Sequence, residues 1–400
     1  MNVLFIQKMF VEGGVSIFSA VLANKFLSEG HHVSIFAFGD ADGEKESILS
    51  PDVHTYSGIG HEWFRWPNVT SLRSVVLAEA PDLIINNWGL PWKFITTIRL
   101  ALVGVRNKPV VWSMYHNDPI ANSKIIRFEQ KSAQNHGIAH VFTRLITRCI
   151  KILSALSFRY VYRLSDGYIL LCESYVKEFC EFTGLRYSPK MWSQINPLTM
   201  QTGDFVLEPS AKQKELLYVG RLDPYSKKVN RLLNVWRLLE KQYPDWRFTI
   251  VGDGPDKENL LRLTKSYELN RISFEGRRRP DEYYKRASIL CLCSDFEGFP
   301  LVIGEAMSLG CIPVVYDSFA AVYDMINDGI DGLIVPKRKN GFSAETMVET
   351  LVEIMNNTDK RYRMMAAARK KSELFAIDII YSQWKQRIKQ ANITGKHSSV

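Results

Sequence analysis

Short apolar runs alternate with longer amphipathic stretches along the whole chain, the pattern of parallel strands covered on both faces by helices. In the first half this predicts strands at Val3-Leu-Phe-Ile6, Val33-Ser-Ile-Phe-Ala-Phe38, Leu83-Ile-Ile-Asn86, Val110-Val-Trp-Ser-Met114 and Gly167-Tyr-Ile-Leu-Leu171. A helix from Ser16 to Glu29 is stopped by Gly30, and this half closes near Ile195. Between Asn196 and Lys214 the chain turns polar and irregular, with Pro197, Gly203 and Pro209, which places a linker there. A second series begins with strands at Leu216-Leu-Tyr-Val219, Arg247-Phe-Thr-Ile-Val251 and Ile272-Ser-Phe274. It continues through Ile289-Leu-Cys-Leu-Cys293 and Ile312-Pro-Val-Val-Tyr316 to a closing helix from Ala376 to about Lys389.

The expected fold class is therefore α/β, with two Rossmann-like domains: residues 1–195, residues 196–375, and a last helix and tail over 376–400 that crosses back to the first. Two such domains facing each other would bring the carboxyl ends of their strands, where ligands bind, into one cleft. A chain of 400 residues with 46% apolar content is long enough for two cores. No stretch reaches the roughly 18 apolar residues of a spanning helix, and the apolar run at Met1 is too short for a signal peptide, so a cytoplasmic location is expected. The six cysteines, Cys149, Cys172, Cys180, Cys291, Cys293 and Cys311, lack metal-site spacing and read as reduced core thiols.

The net charge of +9 is uneven. From Pro119 to Ser165 stand Lys124, Arg127, Lys131, Arg144, Arg148, Lys151, Arg159 and Arg163 against Glu129 alone. Between Ile138 and Leu164 these cations interleave with apolar residues at helical intervals. Such a helix either meets an anionic membrane surface, as at the inner face of the cytoplasmic membrane, or turns its apolar stripe to the core and its cations to water. No nucleic-acid reader motif accompanies the charge, so nucleic acid is not an expected partner.

The chemistry gathers in the second half. After the strand ending at Cys293 comes a loop to Pro300 and then a helix from about Leu301 to Leu309, with Gly310 placed as its C-terminal cap. Backbone amides at the helix start have no intrahelical partner and form an anion site; Pro300 lacks an N–H, which leaves Phe299, Leu301 and Val302 as donors. Glu297 and Glu305, eight positions apart, flank that site. On spacing alone they are either ligand contacts or simple dipole compensation.

Glu297-Gly-Phe-Pro-Leu-Val-Ile-Gly-Glu305 resembles the E-x7-E signature of glycosyltransferase family 4, retaining enzymes of the GT-B fold, among them bacterial lipopolysaccharide and polysaccharide transferases. The resemblance implies that Glu297 meets the donor sugar, the backbone of Phe299 and Leu301 the diphosphate, and Glu305 the ribose. Gly220-Arg-Leu-Asp-Pro-Tyr-Ser-Lys227 resembles the family's G-R-x(5)-K segment, which implies that Arg221 and Lys227 grip the diphosphate. Lys228, a neighbouring competitor, stands where the family often has glycine. Gly252-Asp253-Gly-Pro255 is similar to the family's G-x-G-P loop near the nucleotide, and Arg277 follows Phe274-Glu-Gly276, where the family's chain passes the base.

In the first half, Glu12-Gly13-Gly14-Val15 joins the first strand to the first helix and is not a dinucleotide fingerprint. Its glycines either let a ligand approach or serve a tight turn, and the resemblance places them near the donor phosphates. His116 stands just past the strand ending at Met114, where family members often have a histidine against the donor sugar; Asn117 and Asp118 are alternative polar contacts. Asn86-Asn-Trp-Gly89 ends another strand and is a generic acceptor-side candidate.

The resemblance implies transfer of a hexose, on family breadth from UDP, to a saccharide or glycolipid acceptor with the anomeric configuration kept. The departing diphosphate takes the acceptor proton. Neither cofactor nor metal is expected: no D-x-D pair falls in a site loop, and Asp40-Ala-Asp42 lies in a polar loop. A nucleotide-sugar epimerase of related fold and a non-catalytic membrane-associated binding protein stay open as alternatives. The first would turn over donor without acceptor, and the second would bind anionic vesicles and no nucleotide.

Overall fold

A computed structural model describes residues 1–9, 13–39, 48–59, 64–121, 123–134, 137–200, 203 and 205–393. Glu12 and Asp40-Ala-Asp42 lie outside them. The chain divides into two compact units, Met1–Thr199 with Ile377–Val400, and Met200–Ala376.

The first unit is built on seven parallel strands: β1 (Asn2–Gln7), β2 (His32–Ala37), β3 (His54–Ser57), β4 (Leu83–Asn86), β5 (Val110–Met114), β6 (Gly167–Leu170) and β7 (Met191–Ser193), in the order β3-β2-β1-β4-β5-β6-β7. The second has six: β8 (Gln213–Val219), β9 (Arg247–Val251), β10 (Ile272–Gly276), β11 (Ala287–Leu292), β12 (Ile312–Tyr316) and β13 (Leu333–Val335), in the order β10-β9-β8-β11-β12-β13. Central strands such as β1, β4, β11 and β12 are buried almost throughout, which is why their sequences read as unbroken apolar runs. Each sheet is doubly wound, and its strand order reverses once: between β1 and β4, and between β8 and β11. Ligands of such sheets sit at the carboxyl edge beside that reversal.

The closing helix Ile377–Gln390 belongs to the first unit, where it packs on the helix Gly14–Ser28. Tyr381 stands edge-on to Phe26 and hydrogen-bonds His31, and Lys25 pairs with Asp378 at 2.8 Å.

One expectation is corrected here, and one open alternative is narrowed. The cysteines are free, but only Cys172, Cys291, Cys293 and Cys311 are buried; Cys149 is exposed on the helix Gly137–Leu164 and Cys180 is half-buried. That same helix also does not turn its whole apolar stripe inward. Toward its N-terminal end it buries Thr143 and Thr147, while Val141, Phe142, Leu145, Ile152, Leu153 and Leu156 are exposed beside Arg144 and Arg148. Thr143 and Thr147 can sit inside because their hydroxyls return to the carbonyls of Ala139 and Thr143 at 2.8 Å. Further along, Phe158 and Val161 are buried, and there the helix packs as a core helix.

Candidate functional site

The loops leaving β8, β9, β10 and β11 carry the sequence motifs of the second unit, and the strand order makes them neighbours along one carboxyl edge. Backbone bonds stitch the first three loops together. Gly220 N–H donates to Val251 O at 3.0 Å, Leu222 N–H to Asp253 O at 2.9 Å and Gly252 N–H to Gly276 O at 2.8 Å. The approach is so close that a Cβ on Gly252 would lie 1.9 Å from Gly220 O.

The loop after β8 is folded by Asp223. Its Oδ1 accepts from the backbone N–H of Tyr225 and Ser226 and from Ser226 Oγ, and its backbone carbonyl accepts from Lys227 N–H. Burial by itself would raise the Asp223 carboxyl. The donors from Ser226 and Tyr225 and the Arg221 guanidinium, 3.2 Å away, outweigh it and hold the group below the usual carboxylate range. Lys228, at φ 51°, occupies the left-handed conformation that favours glycine. Its ammonium lies 3.8 Å from Asp295, a weak pair. Lys228→Gly is therefore expected to stabilise the fold by up to about 1 kcal/mol, read as a higher midpoint in chemical unfolding; an unchanged or lower midpoint would show that the Asp295 pair outweighs the strain.

This turn delivers Lys227 to Glu297. The ammonium stands 2.6 Å from Glu297 Oε1, which also accepts from Ser294 Oγ at 2.6 Å. The resemblance implies separate roles, Lys227 on the diphosphate and Glu297 on the sugar; the fold makes them an ion pair across the strand reversal. Asp295 N–H donates to Ser226 O, which ties the loop after β11 to the loop after β8. Arg231, a cation outside every motif, pairs with Asp295 at 2.5 Å and donates to Cys293 O, with its guanidinium over Tyr316 and Phe342. Arg221 is two-thirds exposed and pairs with Asp223.

The helix that follows spans Leu301–Ser308, begins after an extended Pro300, and has no side-chain cap at its N-terminus. Its C-terminal end is closed by Gly310 at φ 70°: Gly310 N–H bonds Met307 O and Cys311 N–H bonds Ala306 O. Phe299 is buried against Phe375, which fixes the backbone entering the helix. Glu305 is buried and accepts from the hydroxyl of Tyr284 at 3.1 Å, a partner on another helix that no motif indicated. Tyr284→Phe removes that donor from a buried carboxylate. We expect a loss of about 1–3 kcal/mol in stability and, from the ribose role that the resemblance implies for Glu305, weaker nucleotide binding, both measurable by calorimetry.

Asp253 is exposed and held by Lys257 at 2.8 Å and by Gly254 N–H. Arg277 is exposed just after β10. A cavity of about 650 Å³ lies at the opposite, amino edge of this sheet, lined by Lys214, Asp245, Arg271 and Glu275. Of the motif segments only Glu275, beside Gly276, reaches it, and ligands of such sheets bind at the carboxyl edge, so the site is assigned to the motif loops.

In the first unit, Gly13 is extended and a Cβ on Gly14 would meet nothing within 4 Å, so neither backbone strain nor packing there demands glycine. His116 Nε2 lies 3.2 Å from Asn87 Oδ1, and Asn87 in turn donates to Ser19 Oγ at 2.8 Å. The ring stands edge-on to Phe18, and its Nδ1 is buried with no hydrogen-bond partner among the described residues. Burial pushes His116 down to about 3, so it is a neutral hydrogen-bonding group at neutral pH. Asp118 is buried, which raises its carboxyl to about 6 against hydrogen bonds from the N–H groups of Ile120 and Ala121.

Comparison with known proteins adds two family matches. Residues 12–189 match the model of Glycosyltransferase Family 4 and residues 201–371 that of Glycosyl transferases group 1. The chain is 28% identical over 389 residues to an uncharacterized glycosyltransferase of Haemophilus influenzae, covering 95% of this chain and 98% of that one. It is 24% identical over 400 residues to the GalNAc-alpha-(1->4)-GalNAc-alpha-(1->3)-diNAcBac-PP-undecaprenol alpha-1,4-N-acetyl-D-galactosaminyltransferase of Campylobacter jejuni, covering 96% and 97%. Among solved structures, Anabaena HepE in complex with UDP and glucose superposes with TM-score 0.74 at 16% identity, covering 98% of this chain and all of that one. The lipopolysaccharide outer core galactosyltransferase WaaB superposes with TM-score 0.71 at 18% identity, again over 98% and all of the two chains.

Proposed function

Since the chain is a glycosyltransferase of the GT-B fold, with a family 4 half and a group 1 half, we propose that it moves a hexose from UDP to a lipid-linked saccharide with retention of configuration. The observation that carries this is the Lys227–Glu297 pair, set at the strand reversal beside the uncapped helix start at Leu301. Lys227, Arg221 and the amides of Phe299, Leu301 and Val302 offset the charge on the departing diphosphate. Glu297 orients the sugar, and Glu305, held by Tyr284, takes the ribose. The bond from the anomeric carbon to the diphosphate breaks, the acceptor oxygen bonds the same face, and its proton leaves with the diphosphate. His116 is proposed to contact the sugar as a neutral group. No metal enters the step.

The choice of UDP is favoured by HepE, and a lipid-linked saccharide in lipopolysaccharide or polysaccharide synthesis by the Campylobacter relative and WaaB. The test is transfer from UDP-hexoses to a polyprenyl-diphosphate saccharide, with product configuration read by NMR. An inverted product, or donor turnover without acceptor, contradicts the reading.

The exposed apolar and cationic face of the helix Gly137–Leu164 is proposed to dock on an anionic membrane, where such an acceptor resides. No helix of the described residues is long and apolar enough to cross one. Arg144, Arg148 and Lys151 also line a cavity of about 530 Å³ with His140 and Glu129. Reversing those three cations to glutamate is expected to weaken binding to phosphatidylglycerol vesicles at least about a hundredfold, since each contributes roughly 1 kcal/mol near such a surface. Unchanged co-sedimentation would contradict docking.

A further inference from the structure

Two histidines and a buried glutamate meet at the amino edge of the first sheet, a place the transferase reading does not use. His32 opens β2, His54 opens the neighbouring edge strand β3, and Glu79 ends the helix Trp66–Glu79. Glu79 Oε2 is 2.6 Å from His32 Nε2, and Oε1 is 3.0 Å from His54 Nδ1. All three potential ligand atoms lie within 4.8 Å of one another. The hydroxyl of Tyr56 donates to Glu79 Oε1, and the backbone carbonyl of Glu79 accepts from Asn2 Nδ2 at 2.9 Å.

We propose that His32, His54 and Glu79 form a site for a divalent transition metal, of which zinc is the representative ion. Two imidazole nitrogens and one carboxylate oxygen are the donor set that zinc takes with three protein ligands and a water. The ligands come from three elements fixed by the sheet and its helix, so their spacing is set by the fold. The carboxylate is buried and the two imidazoles are about half exposed, which leaves the outer side open for the fourth ligand. Bonds of about 2.0–2.2 Å in a tetrahedron separate ligand atoms by roughly 3.3 Å. The 2.6 and 3.0 Å contacts run to different carboxylate oxygens, and one ligand atom from each residue lies within 4.8 Å of the others, so reaching that spacing takes shifts of less than about 1.5 Å, within the swing of two exposed rings. Tyr56 would hold the carboxylate from behind, as outer-shell donors do. An ion here ties edge strand β3 to the helix at the end of the sheet opposite the ligand edge, and so is separate from the metal-free transfer proposed above.

The alternative is that the two histidines simply pair with the glutamate. The full-length protein, stripped with chelator, separates the two by equilibrium dialysis against zinc and by the visible spectrum with cobalt. Binding of one equivalent, a tetrahedral cobalt spectrum, and loss of both in the His32→Gln, His54→Gln double variant are expected. Tyr56→Phe should weaken binding by about tenfold or more. Because Cys149 is also exposed, the same titration in Cys149→Ser should be unchanged. No binding at micromolar zinc, or undiminished binding in a double variant whose circular dichroism matches the parent, overturns the proposal. Nucleotide diphosphate binding should not differ between the parent and the double variant.

Discussion

Replacing Glu297 with glutamine is expected to lower kcat by about 10²- to 10³-fold while donor KM changes much less, because the charge at this position acts as the glycosidic bond breaks. The substitution is nearly isosteric. The amide oxygen can still accept from Ser294 Oγ, 2.6 Å away, so the loop after β11 should keep its shape. In the proposed mechanism, what is lost is a negative charge beside an oxocarbenium-like sugar. Lys227→Ala should behave differently, raising donor KM as well as lowering kcat, since the ammonium is proposed to hold the diphosphate. In the ligand-free protein the two charges are paired at 2.6 Å, so binding the donor must share Lys227 between carboxylate and diphosphate. Residues in such contact do not act independently, and the double variant should fall by less than the product of the single effects. Steady-state kinetics on the four proteins, with circular dichroism to confirm their fold, measures this. Strictly multiplicative effects would mean that the pair is incidental to catalysis.

Gly252→Ala is expected to be as damaging from a position that bears no functional group. The new Cβ would sit 1.9 Å from Gly220 O, and the φ of 148° is one that residues with a side chain rarely adopt. To relieve the contact the loops after β8 and β9 must part by about 1 Å, which breaks the register that places Arg221 and Lys227. The strained backbone costs about 1–3 kcal/mol, and a displacement of this size at a reacting centre can cost about a hundredfold in rate. Gly14→Ala is the contrast, since a Cβ there meets nothing within 4 Å. Unfolding midpoints and kcat for both variants test the difference. A fully active Gly252→Ala protein would show that the loops are not held in the close register described.

Strands buried on both faces were readable because burial leaves no polar positions to interrupt them: Leu83–Asn86, Val110–Met114, Arg247–Val251 and Ile312–Tyr316 agree with expectation to the residue. The strands that sequence did not indicate are edge or very short ones. β3 reads His-Thr-Tyr-Ser and is partly exposed, while β7 and β13 have three residues each. The four charged residues of the donor motifs could be named in advance, but their pairing could not, because it depends on which loops the strand order makes neighbours. Tyr284 gave no signal, since a tyrosine inside a helix looks like any core residue. Nor could the sequence decide the outward face of the helix Gly137–Leu164, because the residues that take the inward positions near its start are threonines.

The central claim is that a nucleoside diphosphate is held at the reversal of the second sheet by Lys227, Arg221 and the helix start at Leu301, without a metal. Calorimetric titration of UDP into the full chain in chelator tests it most directly. The claim predicts binding at one site that weakens as salt rises, is lowered at least about tenfold in Lys227→Ala, and is unchanged by added magnesium. Equal affinity in parent and Lys227→Ala, or binding that appears only with magnesium, would contradict it.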